Sequence, residues 1–331
     1  MMEDVMAEDF IRETVEKVLQ EIVNEKIENG ASEEEIEKVV CSDNITKAFS
    51  KLIKQASDDS VEFIEKIMYE KVLEERAYAD EFLARQNQKW GKAFVTSDAM
   101  YICVLESAET YAKYVEKAHR GENSFMYYAL KNIHARALQI YLEVMTLNKN
   151  GFADGAYARW RSLYELSVIS AFITKYGENV AKAFVQAANT DDRYEWARTA
   201  KCFKKYPVDR HITFSAIQNK CEIATKEWKK EYDFVNKLVH ASPQGTMYRL
   251  GCDTAVALPV GRTDWGMSIS AIHAAISLSQ ITADFFTIFS HGDSLMAMLT
   301  FHKWVEKITE YYRATEEECF GDEMKVEIDN R

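Results

Sequence analysis

Apolar side chains recur about every 3.6 residues through most of the chain, the period of a helix that buries one face. The runs are punctuated by Gly30, Gly91, Gly121, Gly151 and Gly177, residues that weaken a helix interior and suit its ends. Proline is confined to Pro207, Pro243 and Pro259, so the flanking stretches lack the residue that breaks helices outright. The pattern predicts helices near 3–28, 33–40, 44–56, 60–90, 98–119, 123–148, 153–175, 178–204, 211–241, 266–290 and 294–314. Capping signals agree with several of these starts. Ser32 with Glu35 forms a capping-box pattern, Thr96-Ser97-Asp98 stands where a helix would begin, and His291 with Asp293 reads as the cap of the last helix. Residues 245–266 depart from the pattern with glycines, a proline and a β-branched run, and are expected to form a long loop or short hairpin. MKVEI at 324–328 alternates like a short strand. The expected fold is all-α: a multi-helix bundle over residues 96–315, an acidic helical arm over 1–95 and an acidic tail over 316–331.

Composition narrows the function classes. The 331 residues, 47% hydrophobic, suffice to bury a full core. Six cysteines without a C-x-x-C pair argue for reduced thiols over a disulfide framework or a zinc site. The opening MMEDVMAEDF lacks the basic and apolar segments of a secretory or transit sequence, which gives a cytoplasmic expectation. The apolar run 267–289 contains His273, Gln280 and Asp284, so it is expected to be a central bundle helix, with no membrane partner. No Gly-rich phosphate loop, H-E-x-x-H or G-x-S-x-G pattern occurs. His134, His211, His273, His291 and His302 lack ligand partners at helical spacing, so no metal and no other cofactor is expected.

The net charge of −12 is unevenly spread: the first 80 residues hold 10 Lys and Arg against 22 Asp and Glu, and the remainder is neutral. The acidic arm reads either as a solvated helical face or as a surface for a protein partner. Residues 198–237 hold ten basic and five acidic side chains. Lys204 and Lys205, with Arg210, Lys229 and Lys230, are the first place to look for RNA.

Two polar stripes cross otherwise apolar helices. In YDFVNKLVHAS, Tyr232, Asn236 and His240 fall at i, i+4 and i+8, and in AYARWRSLYELSVISAFI so do Tyr157, Arg161 and Glu165. Burying such groups singly costs about 1–3 kcal/mol each, so the stripes are expected either to satisfy one another as a brace or to line a cleft. In the second case His240 can move a proton, Arg161 can hold a phosphate, Asn236 can orient it, and Glu165, Tyr232, Tyr157 and Lys237 complete the site. That chemistry suits metal-independent RNA cleavage by the neighbouring 2′-hydroxyl.

R-S-L-Y-E at 161–165 and N-K-L-V-H-A-S at 236–242 resemble an uncharacterised family of bacterial all-α proteins, distantly similar to HEPN domains. The resemblance covers residues 96–290 and implies a ribonuclease of stress or phage defence acting as a homodimer, with Asn236 and His240 matching the family's polar pair and Arg161 or Lys237 in place of its Arg; Glu165 joins the catalytic set from the polar stripe alone. The sequence departs from the HEPN pattern at Val235, where that family carries Arg. A non-catalytic helical binding module, recognising a protein or nucleotide, is the alternative expectation.

Overall fold

The computed structural model describes residues 8–40, 43–191, 193–223, 225–240, 243–247, 258 and 260–321. These form eleven α-helices and two 3-10 turns, with no strand among the described residues. The chain divides into two compact units, 1–81 and 82–331.

The first unit contains α1 (Glu8–Glu28), α2 (Glu33–Val40) and the opening part of α3 (Asp43–Ala118). The Ser32 capping signal operates here: the Glu35 carboxylate accepts from the Ser32 backbone N–H at 2.9 Å and from its hydroxyl at 3.1 Å. No side chain described in this unit is buried.

The second unit holds the rest of α3, then α4 (Ser124–Lys149), α5 (Ala153–Tyr176), α6 (Glu178–Ala187), 3-10 turns at Glu195–Thr199 and Lys201–Phe203, α7 (Phe214–Gln218), α8 (Lys226–Val239), α9 (Pro243–Met247), α10 (Met267–Phe286) and α11 (Gly292–Phe320). Its centre is the packing of α4, α5 and α10, with α3, α8 and α11 outside. The small residues Ser270, Ala271, Ala274, Ala275 and Ser277 of α10 are buried, which lets neighbouring helices approach closely. Trp160, Phe172, Phe285 and Tyr312 fill the space around them. No helix is long and apolar enough to cross a membrane among the described residues.

Several boundaries differ from the sequence expectation, each for a local reason. The three helices expected over 44–119 are one, because Gly91 weakens an α-helix by about 1 kcal/mol without breaking it. Thr96 is mid-helix, its hydroxyl donating to the Lys92 carbonyl at 2.7 Å instead of capping. The helix expected over 178–204 stops at Ala187, where the Thr190 hydroxyl donates to the Ala187 carbonyl. The one expected over 211–241 is split by two threonine N-caps, Thr213 accepting from the Ala216 N–H and Thr225 from the Trp228 N–H. His291 caps α11 as expected, in a reciprocal box with Ser294. Glu178 caps a neighbouring helix: its carboxylate accepts from the N–H groups of Phe125 and Met126 at 2.9 and 2.8 Å, at the start of α4. Of the expected 245–266 loop, the first three residues belong to a short helix, Pro243–Met247, and 248–257 and 259 lie outside the described residues, as does the 324–328 segment.

Candidate functional site

The two polar stripes do meet, in part. α5 and α8 pack antiparallel: Tyr157 faces Phe234 at a ring separation of 6.2 Å, and Trp160 faces Trp228 at 5.8 Å. Within the seam the Tyr232 hydroxyl donates to Glu165 at 2.6 Å and accepts from the Arg161 guanidinium at 3.4 Å. Arg161 and Glu165 also pair directly at 3.0 Å, with 30% and 18% of their side chains exposed. Burial pushes the Tyr232 hydroxyl up to about 12, reinforced by Glu165 and opposed by Arg161. Burial works against the Arg161 charge, but Tyr232 and Glu165 outweigh it and hold the guanidinium above its ordinary range.

A second couple lies further along the seam. The fully buried Tyr157 donates to Glu231 at 2.5 Å. Beside it the His273 ring of α10 packs against Trp160 at 4.8 Å and Trp228 at 4.9 Å. Burial lowers His273 to about 4, with Glu231 opposing, so the imidazole is neutral at physiological pH. Neither Glu231 nor His273 is among the site residues expected from sequence. Glu231 is one position off the Tyr232 stripe, and His273 was set aside for lacking a partner on its own helix. The readable signal was an imidazole inside an Ala- and Ser-rich core helix, an expensive place for a polar group.

Three polar atoms of this seam are buried without a hydrogen-bond partner among the described residues: Arg161 Nε, Asn236 Oδ1 and His273 Nδ1. Each such atom costs about 1–3 kcal/mol. Asn236 stands one turn after Tyr232 on α8, so it continues the stripe as the sequence indicated.

His240 does not continue it. α8 ends at Val239, and His240 is an exposed C-cap residue in extended conformation, φ −90° and ψ 146°. Pro243 follows shortly and cannot continue the helix; a Cβ at Gly245 would lie 2.4 Å from the His240 carbonyl oxygen and 2.5 Å from that of Lys237, so only glycine lets α9 close over the end of α8. Val235, next to Asn236 on α8, is fully buried.

The remaining expected residues lie on the surface. Lys237 is exposed on α8, and Lys204 and Lys205 are exposed after the second 3-10 turn. The neighbouring loop is held by Arg198, which pairs with Glu195 at 2.8 Å and donates to the carbonyls of Pro207 and Arg210. No group of three or more His, Cys, Asp or Glu that could hold a metal occurs among the described residues.

No curated protein and no solved structure matches the chain. Residues 127–237 match the sequence model of DUF5677, a family of unknown function, over a span that holds both halves of the α5–α8 seam and leaves His240 and His273 outside.

Proposed function

We propose that the chain is a helical binding module whose seam between α5, α8 and α10 takes a nucleotide without cutting RNA. The observation that carries this reading is the set of three buried, unpartnered polar atoms, Arg161 Nε, Asn236 Oδ1 and His273 Nδ1, in a seam whose other polar groups are paired. A nucleotide offers acceptors to the guanidinium and donors to the amide oxygen, and so supplies partners to these atoms. Arg161 is already neutralised by Glu165, which disfavours it as the cation that a phosphorane-like transition state requires.

The test is calorimetric titration of the full chain with nucleoside mono- and triphosphates, for wild type and Asn236→Leu, beside incubation with RNA in EDTA. Saturable heat that weakens about 10-fold or more in the variant, a loss of about 1.4 kcal/mol, with RNA left intact, is the expected result. Heat unchanged by Asn236→Leu, or none with any nucleotide, ends this reading.

A second reading is the metal-independent endoribonuclease implied by the HEPN resemblance, in stress or defence. It is favoured by the exposed imidazole of His240, one turn beyond Asn236 and three residues from Lys237. Here His240 serves as general acid or base, and Arg161 must leave Glu165 to reach the phosphate. RNA cleavage in EDTA that disappears in both His240→Ala and Arg161→Ala would establish it.

A further inference from the structure

At one end of the second unit a turn brings three polar side chains into line. α3 closes at Ala118, and the chain folds back through Gly121 at φ 87°, so that the Glu122 N–H donates to the His119 carbonyl at 3.1 Å. This places Glu122 against the His119 ring, with Nδ1 at 3.3 Å from the carboxylate Oε2. The other ring nitrogen, Nε2, lies 3.1 Å from the hydroxyl of Tyr114 on α3. A carboxylate only accepts, so the imidazole proton sits on Nδ1, and Nε2 accepts from the phenol. Both rings are held in place: His119 stacks on Phe289 at 4.3 Å, and Tyr114 meets the His291 ring edge-on at 4.1 Å. His119 keeps 27% of its side chain exposed and Tyr114 is half-buried, so the group is reachable from solvent.

Tyrosine, histidine and glutamate in this arrangement are a nucleophile, a base within hydrogen-bond reach and a group that orients the base. A phenol is a stronger acid than the alcohol of serine, so an imidazole takes its proton at lower cost. We propose that Tyr114 and His119 are the catalytic residues of an acyl-transfer site for aryl esters, with Glu122 positioning the imidazole. The Tyr114 oxygen bonds to the ester carbonyl carbon as its proton passes to His119 Nε2. The bond from that carbon to the leaving oxygen then breaks, and the leaving oxygen takes the proton from His119. Water attacks the acyl-tyrosine with His119 again as base, the carboxylic acid departs, and the Tyr114 oxygen recovers its proton. Aryl esters are the fitting class, because a phenoxide displaces best a leaving group no more basic than itself. This proposal does not depend on the ligand of the α5–α8 seam.

The experiment incubates the full chain with p-nitrophenyl acetate and follows nitrophenolate release together with the site of acetylation by peptide mass spectrometry. Tyr69, Tyr78 and Tyr128, which are 76%, 65% and 57% exposed and make no hydrogen bond to a histidine among the described residues, serve as internal references. Tyr114 is expected to acetylate at least about 10-fold faster than any of them, with release running beyond one equivalent of protein. His119→Phe keeps a ring on Phe289 and removes the base. In it, acetylation of Tyr114 is expected to fall about 10-fold or more and to lose its dependence on an imidazole ionisation, at an unchanged melting temperature. Glu122→Gln keeps an acceptor for Nδ1 and is expected to retain more of the rate than Glu122→Leu. Acetylation of Tyr114 no faster than that of the references overturns the proposal without recourse to any variant, as does an unchanged rate in His119→Phe. Release that stops at one equivalent shows a trapped adduct in place of transfer and overturns it equally.

Discussion

Helix α3 has two characters within one element. Up to Glu81, none of its described side chains is buried. From Phe82 onward, Phe82, Gln86, Trp90, Ala93, Phe94, Ser97, Met100, Val104, Ala108, Tyr111 and Val115 are buried at helical spacing. The helical period is common to both parts, so periodicity specifies the helix and leaves open whether its apolar face is covered. What separates the parts is composition: aromatic residues and near-neutral charge accompany the core, and acid excess accompanies the open face. The first part depends on helix propensity and surface ion pairs, and the second on buried area.

This contrast is open to direct attack, beginning with its largest consequence. Trp160→Ala, at a fully buried position between α5, α8 and α10, is expected to lower stability by about 3–5 kcal/mol. Ile53→Ala in the exposed strip is expected to change it by about 0.5 kcal/mol or less. Urea denaturation followed by tryptophan fluorescence separates the two, and equal effects would erase the distinction between the regions.

Asp284 sharpens the comparison through pH. Burial pushes its carboxyl up to about 7, against the hydrogen bond donated by Ser170 at 2.6 Å. A folded-state value above the unfolded one favours the protonated form. Its contribution is therefore complete below the unfolded value near 4 and is lost as pH rises through about 7. His134 and His273, each lowered by burial to about 4, act in the opposite sense: their neutral forms support the fold above about 6.5 and that support is lost toward 4. Asp284→Asn is expected to raise the melting temperature at pH 8 relative to wild type more than at pH 5. An equal shift at both values would show that the carboxyl does not titrate in this window.

Smaller effects belong to the seam and the surface. Tyr157→Phe removes the hydroxyl that Glu231 accepts from and is expected to cost about 1–2 kcal/mol in urea denaturation. Lys38→Ala, which breaks an exposed pair with Glu34 in α2, is expected to cost about 0.5 kcal/mol or less by the same measure. A loss at Lys38 equal to that at Tyr157 would contradict the picture of a solvated first unit.

Much of this was legible in the sequence. The all-α fold, the boundary at Gly151, the Ser32–Glu35 capping signal, the cap at His291 and the pairing of Arg161 with Glu165 follow from spacing and residue type; the Ser294 partner of the His291 cap and the part of Tyr232 in the pair do not. The threonine caps at Thr213 and Thr225 were overlooked within a charged stretch that continues the helical period on both sides. The close approach of α9 to the end of α8, which Gly245 permits, was not legible, because it is a tertiary fact. Glu231 and His273 were missed because their partners lie on other helices.

Residue-resolved hydrogen exchange along α3 of the full chain tests the division most directly, because backbone amides report local opening. Amides in Phe82–Ala118 are expected to exchange at least about 100-fold more slowly than those over residues 49–81, reflecting a packed core in one part and solvated turns in the other. Uniform protection along the whole helix in the isolated chain would contradict it.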